Sequence, residues 1–471
     1  MQQPNIVFIL ADDLGARDLS CYGSDFYETP HIDSLRRDGM VFTDAYAACH
    51  VCSPTRASIM TGKYPANVGV TNYIPKDKRI HPRRSRLIDA PYIDHLPLCE
   101  KSLASTLKEN GYETWHVGKW HIGGPDYYPE KHGFDVNIGG CHIGAPYGGG
   151  YFSPWTIPNL DNTQVPDGVY LDDFLTDQAL DLIRNHGDKP FFLNMWYYLV
   201  HQPAEAKQSL IDKYTKKRRQ MGLDDAPEFE ESGTYPLSPR RKIKRRIIQS
   251  DPVYAAMIEI LDTNVGRILN TLEEIGQADN TIVIFTSDNG GLSSHETSPT
   301  CNAPLKEGKG WMYEGGTREP LLVRWLSDVA AGSVCSEPVT SPDFYPTLLE
   351  AVGADLIPGQ HQDGESLLPL LKGSDGLDRD ALFWHYPHYS NQGDTPAAAI
   401  RSGDFKLIEF FEDSHLELYN LRDDIAETEN LIDREPETAK ELHTKLRTWY
   451  DDMNAKFPTV NQEWGNGNEL V

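Results

Sequence analysis

A short, continuous apolar run near the start of the chain constrains the fold more than any other feature. Residues 5–10 read Asn-Ile-Val-Phe-Ile-Leu, and an apolar run of this length is typical of a strand that is buried on both faces of a sheet. Two acids, Asp12 and Asp13, follow at the carboxyl end of this strand. Open α/β sheets bind their ligands at that end of the strands, so the sequence predicts a functional site there.

Apolar stretches recur along most of the chain and alternate with helical patterns. We predict further strands at 40–42, 112–117, 190–199, 281–286 and 321–325. We predict helices at 30–38, capped by Thr29, and at 100–110, 172–185 and 252–275. The β–turn–α–β order predicts parallel pairing, beginning with the first two strands. The predicted fold class is therefore α/β, with a large, mostly parallel sheet between layers of helices.

The pattern changes near residue 376, where we predict a boundary between a domain of residues 1–375 and a smaller domain of residues 376–471. A Ser-Gly-Asp turn at 402–404 separates two apolar stretches and is a hairpin signal. The smaller domain is predicted to contain strands at 397–401, 405–411 and 417–420 and a helix that begins at Pro436. The C-terminal part therefore reads as a small antiparallel sheet with one covering helix.

The sequence Cys-Ser-Pro-Thr-Arg at 52–56 predicts a short helix with a thiol at its start. Ser53 is a preferred N-cap residue, the proline after it suits the first helical position, and Gly62 suits the end of the helix. Cys52 is thus expected immediately before the helix. The unpaired N–H groups of the helix start, together with Arg56, favour an anion beside the thiol.

Cys49 and Cys52 also form a C-x-x-C pattern, which occurs in redox and zinc sites. The remaining cysteines, at 21, 99, 141, 301 and 335, contain no second such pair. A four-cysteine zinc site is therefore disfavoured, and the chain is far longer than a thioredoxin-like unit. The redox or zinc interpretation stands as the alternative for this motif.

The charge of the chain limits its partners. The formal net charge is −26, which argues against nucleic acid as a partner because such binding needs a broad basic face. Two basic runs, 213–219 and 240–246, flank an acidic segment at 224–231. Runs of this kind form either solvated surface or a contact for an anionic glycan.

The longest apolar run, 191–200, is too short to cross a membrane.

The first residues, Met-Gln-Gln-Pro, lack the basic start and apolar core of a signal peptide. The sequence therefore predicts a cytoplasmic protein, or a periplasmic or secreted one if a leader has been removed.

Polar side chains follow four of the predicted strands, and a parallel sheet gathers such strand ends on one edge. They are Asp12 and Asp13, Lys119 and His121, His201, and Asp288 and Asn289. The oxygen ligands among them suit Ca²⁺ or Mg²⁺ rather than zinc.

Five sequence blocks, in this order, resemble the type I, formylglycine-dependent sulfatases of the alkaline-phosphatase-like superfamily, in their carbohydrate sulfatase and arylsulfatase branch. The blocks are N-I-V-F-I-L-A-D-D at 5–13, C-S-P-T-R at 52–56, G-K-W-H at 118–121, S-D-N-G at 287–290 and G-K-G-W-x-Y-E-G-G-T-R-E-P at 308–320. The resemblance extends from residue 4 to about residue 450. It implies that the smaller domain completes the substrate pocket.

The resemblance also implies the cofactors and the site. Cys52 would be oxidised to formylglycine by a maturation enzyme, which leaves six cysteines that permit disulfides without requiring them. The implied ligands of one divalent cation, Ca²⁺ or alternatively Mg²⁺, are Asp12, Asp13, Cys52, Asp288 and Asn289. The implied catalytic residues, which would surround the sulfate, are Cys52, Arg56, Lys119, His121, His201 and Lys309.

The implied reaction is the hydrolysis of a sulfate ester. One hydroxyl of the hydrated aldehyde attacks sulfur, and a protonated His201, assisted by Lys309, donates to the leaving oxygen. His121 then removes a proton from the second hydroxyl, and sulfate is released. An unmodified cysteine has no second hydroxyl, so the chemistry requires the aldehyde.

The expected substrate is a sulfated oligosaccharide, from a glycosaminoglycan or a sulfated galactan, for example one with sulfated GalNAc or galactose. The acidic exterior favours exo action over binding the middle of a polyanion. The aromatic stretches 139–155 and 384–389 are either sugar-stacking surfaces or internal packing. The alternatives are a phosphonate or phosphodiester hydrolase of the same superfamily, and a non-catalytic binder of sulfated glycans if Cys52 is not converted.

Overall fold

The structure is a computed structural model. It describes residues 3–74, 85–160, 164–236, 238, 241–295, 297–374 and 376–464.

The strands are numbered in chain order. They are β1 Asn5–Ala11, β2 Met40–Tyr46, β3 Leu87–Ile88, β4 Glu113–Gly118, β5 Val136–Ile138, β6 Phe191–Trp196, β7 Phe229–Thr234, β8 Lys242–Arg246, β9 Thr281–Ser287, β10 Arg318–Arg324, β11 Ser333–Cys335, β12 Val339–Thr340, β13 Leu382–Tyr386, β14 Ala397–Ser402, β15 Phe405–Phe410, β16 Leu416–Asn420 and β17 Thr459–Val460.

The helices are numbered in the same way. They are α1 Pro30–Asp38, α2 Cys52–Thr61, α3 Pro65–Val68, α4 Leu103–Glu109, α5 Leu171–Arg184, α6 Gln208–Gln220, α7 Pro252–Glu274, α8 Glu314–Thr317, α9 Phe344–Ala351, α10 Leu368–Leu371 and α11 Pro436–Asp452.

The large sheet has the strand order β11-β2-β10-β9-β1-β6-β4-β5, and β12 also pairs with β2. Its strands are parallel except for β10, which is antiparallel to both of its neighbours. The predicted mixed, mostly parallel sheet is confirmed. The predicted pairing of the first two strands is wrong, because β9 and β10 lie between β1 and β2. The fully buried β6 and β9 take the places beside β1, whereas β2 has Thr43 exposed and lies nearer an edge.

Both faces of the large sheet are covered. In β1, Val7 and Ile9 pack in a cluster with side chains of α5 and α7, whereas Phe8 and Leu10 point into a second cluster with α2, α4 and α9. Successive residues of β1 point to opposite faces of the sheet, and both faces are buried. The strand is therefore apolar throughout instead of alternating between apolar and polar residues. The carboxyl ends of the central strands are thereby held rigidly along one edge.

Helix α1 is capped by a residue that lies far away in the sequence. The side chain of Thr29, the predicted cap, makes no capping hydrogen bond and instead donates to Asp33. The first available N–H groups, of His31 and Ile32, donate to Oδ1 of Asp262 on α7 over 2.9 and 2.7 Å. The position of α1 was predicted correctly, but its cap was not, because a cap supplied by another helix leaves no local signal.

The C-terminal strands form the sheet β13-β14-β15-β16, which is antiparallel throughout. Helix α11 covers it, with Leu446 and Trp449 in one apolar cluster with Ile400 and Leu407. The predicted small antiparallel sheet with a covering helix is confirmed. The boundary near residue 376 stays a prediction.

The aromatic stretch 384–389 packs inside the molecule. Trp384 and Tyr386 are buried, the ring of Trp384 lies 5.3 Å from that of Tyr46, and its Nε1 donates to the carbonyl of Ala47. Of the two interpretations of this stretch, internal packing is therefore correct. It joins the small sheet to the large one.

The insertion at 204–250 contains α6 and the β7–β8 hairpin, and the first basic run lies on α6. Lys213 and Lys217 pair with Glu28, and Arg218 pairs with Glu228. This run is therefore ion-paired surface.

The insertion at 72–98 contributes β3, which pairs with β17 near the C-terminus, whereas its residues 75–84 lie outside the described part. In the described part of the chain, no helix combines the length and apolarity that crossing a bilayer requires.

Candidate active site

Helix α2 places Cys52 at its first position. Val51 occupies the N-cap, and Gly62, with φ 69°, ends the helix in the left-handed region. The predicted capping by Ser53 is wrong, because Ser53 lies inside the helix. Its Oγ donates to the carbonyl of His121 over 2.8 Å and accepts from the N–H of Ile74 over 3.0 Å. Ser53 therefore ties two loops to the helix start.

The predicted strand-end residues come together around Cys52. Ligand atoms of Asp12, Cys52 and Asp288 lie within 4.8 Å of one another, as do those of Asp12, Asp13 and His201. All five side chains are buried. The ends of β1 and β9, the loop after β6 and the start of α2 thus contribute to one site.

Two site residues adopt a left-handed backbone. Asp13 has φ 62° and His121 has φ 58°, a conformation that is uncommon for residues with a side chain and costs on the order of 1 kcal/mol or more. The N–H of Asp13 donates to Oδ1 of Asp288 over 3.2 Å, which holds this turn in place. Aspartate and histidine adopt this conformation more often than most other residues with a side chain, which fits their presence at 13 and 121.

Three buried carboxylates are matched by three buried cations. Nζ of Lys119 lies 2.6 Å from Oδ2 of Asp12. Nζ of Lys309 lies 2.6 Å from Oδ1 and 2.7 Å from Oδ2 of Asp13.

The third pair is formed by Arg56, whose Nε and Nη2 lie 2.8 and 2.7 Å from Oδ2 of Asp288. With neutral histidines, the charges of these six groups cancel. Such a site, with no net charge of its own, accommodates a divalent cation together with a singly charged sulfate ester.

Burial and neighbouring charges set the protonation of the site. Burial alone would raise the pKa of Asp13, but His201, which is charged only at low pH, and the nearby cations Lys309 and Lys119 outweigh it and lower that pKa. Burial lowers the pKa of His201 to about 3, Asp13 opposes this effect, and Lys309 adds to it. Burial and the charge of Lys119 lower the pKa of His121 well below its usual value. Both imidazoles are therefore neutral here at neutral pH.

The hydrogen-bond partners define the tautomers. Nδ1 of His201 lies 2.9 Å from the carbonyl of Gln202 and must donate to it, so Nε2 accepts from Nζ of Lys309 over 3.1 Å. Nε2 of His121 lies 2.7 Å from the carbonyl of Ile74 and donates to it, which leaves Nδ1 as the acceptor nitrogen. One proton therefore lies between Nζ of Lys309 and Nε2 of His201.

The oxygen atoms of the site fit a hard cation. Oδ1 of Asp12 and Oδ1 of Asn289 are buried and have no hydrogen-bond partner among the described residues, which is costly for polar atoms that lack another ligand. Nδ2 of Asn289 donates to Asp13, so its oxygen is turned away from that carboxylate. Carboxylate and amide oxygens are the ligands that Ca²⁺ and Mg²⁺ prefer. The residues present therefore fit such a cation.

A cavity of about 560 Å³ opens above the site. Cys52, His121, His201 and Lys309 line it. Arg56 and Lys119 do not, since their side chains are completely buried against the carboxylates below. Of the residues predicted to surround the sulfate, the structure thus places four at the cavity and two beneath it.

The aromatic stretch 139–155 was interpreted as either a sugar-stacking surface or internal packing, and its two parts differ in this respect. Tyr147 is 55% exposed, lines the cavity together with Ile143, and has its ring centroid 5.9 Å from that of His201. Tyr151 and Trp155 are buried in the main core. The first part of the stretch thus faces the cavity, whereas the second part is internal packing.

Asn391 and Gln392 also line the cavity, and sequence reasoning missed them. They lie in the 390–394 loop, which joins β13 to β14 of the small sheet. The sequence Asn-Gln-Gly-Asp reads as an ordinary turn, so only its polar character hinted at a site. Tyr73 lines the same cavity and accepts a hydrogen bond from Nδ2 of Asn391 over 2.8 Å.

The cysteines do not support the redox or zinc interpretation. All seven are free thiols, and burial raises the pKa of Cys49 to about 12 and also raises that of Cys52. Redox-active cysteines have lowered pKa values. Among the described residues, the ligand clusters contain Cys52 with two aspartates but never Cys49.

Comparison with known proteins identifies the family. The sulfatase family model matches residues 4–354, which is most of the chain. The chain belongs to the sulfatase family. A second model, that of the C-terminal region of N-sulphoglucosamine sulphohydrolase, matches residues 308–455 of this sulfatase.

Relatives support the assignment over nearly the whole chain. A sulfatase of Formosa agariphila is 33% identical, with 96% of this chain and 90% of that protein covered. Human N-acetylgalactosamine-6-sulfatase is 31% identical, with 84% of this chain and 70% of that protein covered. The crystal structure of Ps i-CgsB in complex with k-i-k-neocarrahexaose has a TM-score of 0.74 at 28% identity and covers 98% of this chain and 95% of that one.

These relationships confirm the predicted family, and this sulfatase is a sulfuric ester hydrolase. They also confirm the alkaline-phosphatase-like fold with a smaller C-terminal antiparallel sheet. Members of the family generally use formylglycine and a divalent metal, and the buried acidic cluster beside Cys52 fits such a metal.

Proposed function

We propose that this sulfatase removes a terminal sulfate from a sulfated oligosaccharide, using formylglycine at position 52 and Ca²⁺. The observation that carries the proposal is the position of Cys52. It lines the cavity at the start of α2, and its sulfur lies within 4.8 Å of carboxylate oxygens of Asp12 and Asp288. An oxygen at this position contacts both the cation site and the cavity.

Asp12, Asp13, Asp288 and Asn289 would hold the cation, together with an oxygen of residue 52. The hydrated aldehyde supplies the nucleophilic oxygen, and the cation supplies positive charge that makes this oxygen more acidic. Arg56 and Lys119 contact the carboxylates rather than the cavity, so they act as positioning residues. They fix the orientation of Asp288 and Asp12 by direct ion pairs.

Lys309 and His201 would bind the ester and protonate the leaving group. Both line the cavity and share one proton between Nζ and Nε2. A sugar alkoxide is a poor leaving group, so a proton delivered from this pair lowers the barrier. We assign the proton to Lys309 when the pocket is empty, with His201 as the residue that positions it, because Nε2 of His201 accepts from Nζ of Lys309 over 3.1 Å.

His121 would act in the second half of the reaction. Its Nε2 is bound to the carbonyl of Ile74, so Nδ1 is the nitrogen that accepts a proton. Ser53 holds the loop of His121 against the start of α2. The same helix that carries residue 52 therefore orients the base that serves it.

The cavity determines which substrate fits. Tyr147 offers an exposed ring for the apolar face of a sugar, and the amides of Asn391 and Gln392 offer hydrogen bonds to hydroxyls. The names of the relatives support a carbohydrate, since one acts on N-acetylgalactosamine 6-sulfate and another binds a neocarrahexaose. We therefore favour sulfated galactose or GalNAc units of a glycosaminoglycan or galactan, cleaved at a chain end.

A maturation enzyme would have to act before the fold is complete. Cys52 is only 4% exposed and every residue of α2 is buried. The modifying enzyme therefore needs the segment 52–56 before α2 packs against the sheet.

Two measurements test the proposal. Conversion of Cys52 to the aldehyde lowers the mass of its peptide by about 18 Da, in protein purified from the native host. Free sulfate should be released from terminally sulfated galactose or GalNAc oligosaccharides, and Cys52→Ala should abolish release. An unconverted peptide with retained glycan binding would instead show a non-catalytic binder. The rates should also be compared for sulfates, phosphonates and phosphodiesters that all carry the same leaving group. Faster cleavage of the phosphonate or phosphodiester would show a phosphonate or phosphodiester hydrolase.

A further inference from the structure

A second cavity lies beside the hairpin of β7 and β8. Its volume is about 400 Å³. We call it the basic groove and define it by six of its lining residues, Phe229, Tyr235, Arg241, Lys242, Lys244 and His295. It contains part of the second basic run of the sequence, which none of the roles assigned above uses.

The cationic side chains of the basic groove differ from the neighbouring Arg245 in their ion pairs. On the same strand, Arg245 pairs with Glu230 and Glu307, and these contacts neutralise it. Among the described residues, by contrast, no carboxylate lies within ion-pair distance of Arg241, Lys242 or Lys244, and none lines the groove. In a chain with a net charge of −26, such a concentration of exposed cations favours an anionic ligand.

Aromatic side chains form the remaining surface of the basic groove. Phe229 is 39% exposed, and the rings of Tyr235 and His295 lie 5.3 Å apart. The guanidinium of Arg241 lies over the ring of Tyr235, 5.6 Å from its centroid. Exposed and half-buried rings beside exposed cations suit a ligand that has both an apolar face and a negative group. A sulfated pyranose has both.

The 390–394 loop lines the active-site cavity and also contacts residues at the basic groove. Gln392 lines the active-site cavity, and its carbonyl accepts from Oγ of Ser294, next to His295 of the groove. On the groove side, Ile243 packs so closely against Gly393 that a Cβ there would lie 2.6 Å from its Cδ1. The loop therefore lies next to both cavities, and an oligosaccharide that crosses it from the active-site cavity would extend toward the groove.

We propose that the basic groove is a second binding site for the substrate, which takes a sulfated sugar unit other than the one that is hydrolysed. This proposal rests on the proposed function, because the two sites would hold units of one oligosaccharide. Lys242, Lys244 and Arg241 bind the additional sulfate, and the aromatic rings contact the sugar. The sulfatase therefore prefers multiply sulfated oligosaccharides over singly sulfated sugars.

The test compares Lys242→Gln/Lys244→Gln with Lys216→Ser/Arg219→Ser, which removes the same charge from the exposed side of α6. The substrates are galactose 6-sulfate and a carrageenan hexasaccharide. We expect KM for the hexasaccharide to rise about tenfold in the groove variant, since two charge-assisted contacts are lost. KM for the monosaccharide should stay unchanged, Lys242→Arg/Lys244→Arg should restore the hexasaccharide KM, and added NaCl should weaken only hexasaccharide binding.

An unchanged hexasaccharide KM, or equal losses with both substrates, would overturn the proposal. So would the same effect in the α6 control. Calorimetric titration of the hexasaccharide into Cys52→Ala, with and without the groove substitutions, tests the groove independently of turnover. Weaker binding in the combined variant supports the groove even if the wild-type protein releases no sulfate, a result that would refute only the proposed function.

Discussion

Lys406 and Glu314 form a completely buried ion pair between the large and the small sheet, with Nζ 2.9 Å from Oε1. Burial alone would raise the pKa of Glu314, but the charges of Lys406 and Arg318 outweigh it and lower that pKa. Glu314 precedes β10, whereas Lys406 lies on β15. The pair therefore fixes the sheet that carries the 390–394 loop against the sheet that carries the active site.

Replacement of Lys406 by Met should destabilise the protein by about 3–5 kcal/mol, because two buried carboxylates, those of Glu314 and Glu427, lose the cation they share, although Glu314 keeps Arg318. Urea denaturation measures this loss. Lys445→Met is the control, since Lys445 pairs with Asp380 at the surface and should cost less than about 1 kcal/mol. Equal losses in the two variants would contradict the importance of the buried pair.

Asp262→Asn should change how stability depends on pH. Burial raises the pKa of Asp262 to about 7, and Asp33 and Glu259 raise it further, although the N–H groups of α1 oppose this. A raised pKa in the folded state means that stability is lost as the pH rises from about 4 to about 7.

Asparagine keeps the acceptor oxygen for α1 without the charge. The variant should therefore match the wild type at pH 4 and exceed it by up to about 4 kcal/mol at pH 8. Urea denaturation at both pH values checks this expectation. A stability difference that is the same at both would show that Asp262 does not titrate in this range.

Tyr147→Ala should raise KM for a sulfated sugar about three- to tenfold, because the cavity loses its exposed ring. The value of kcat should change less than KM, since the ring of Tyr147 lies 5.9 Å from that of His201 but Tyr147 is neither a proposed cation ligand nor a proposed proton donor. Initial rates of sulfate release provide both constants. Tyr147→Phe keeps the ring and should stay within about twofold of the wild type, and a normal KM in Tyr147→Ala would exclude stacking.

Gly144→Ala should lower kcat by about ten- to a hundredfold, because a Cβ at this position would lie 2.6 Å from Cε1 of His121. The side chain of His121 would have to move away from the cavity. Gly124→Ala is a matched control, since its Cβ would meet no atom within 4 Å. Normal turnover with Gly144→Ala would show that the position of His121 is unimportant.

Calcium should stabilise the wild-type protein against unfolding. At a hundredfold excess over its Kd, a bound cation contributes about 3 kcal/mol, and a chelator should remove this increment. In Asp12→Asn the increment should shrink or vanish, whereas the exposed Asp25→Asn should retain it. Thermal unfolding with calcium or chelator separates this effect from activity. Equal increments in all three proteins would place the cation elsewhere.

The positions of the main strands and of the acidic residues at their ends were predictable because both depend on local patterns. The apolar run before Asp12 predicted β1, and the order of the sequence blocks predicted the family. Strand order depends on competition between distant segments, so the position of β9 and β10 between β1 and β2 left no trace in the sequence around residue 40.

Contacts from distant elements explain the remaining errors. Asp262 caps α1, and Ser53 connects loops rather than capping α2, although both segments contain residues of the expected type. Arg56 was predicted to surround the sulfate, but it lies beneath the cavity, because its pairing with Asp288 depends on the geometry of the folded strands. Asn391 and Gln392 looked like an ordinary turn because their position at the cavity depends on how the small sheet packs.

The 390–394 loop also determines when the pocket is closed during synthesis. Ribosomes add about 5–20 residues each second, and early segments begin to fold first. The segment around Cys52 therefore emerges long before Gln392 exists, and one side of the nascent pocket stays open until the last fifth of the chain has been translated. Mutations that delay docking of the small sheet would lengthen this interval without altering any residue that touches the ester.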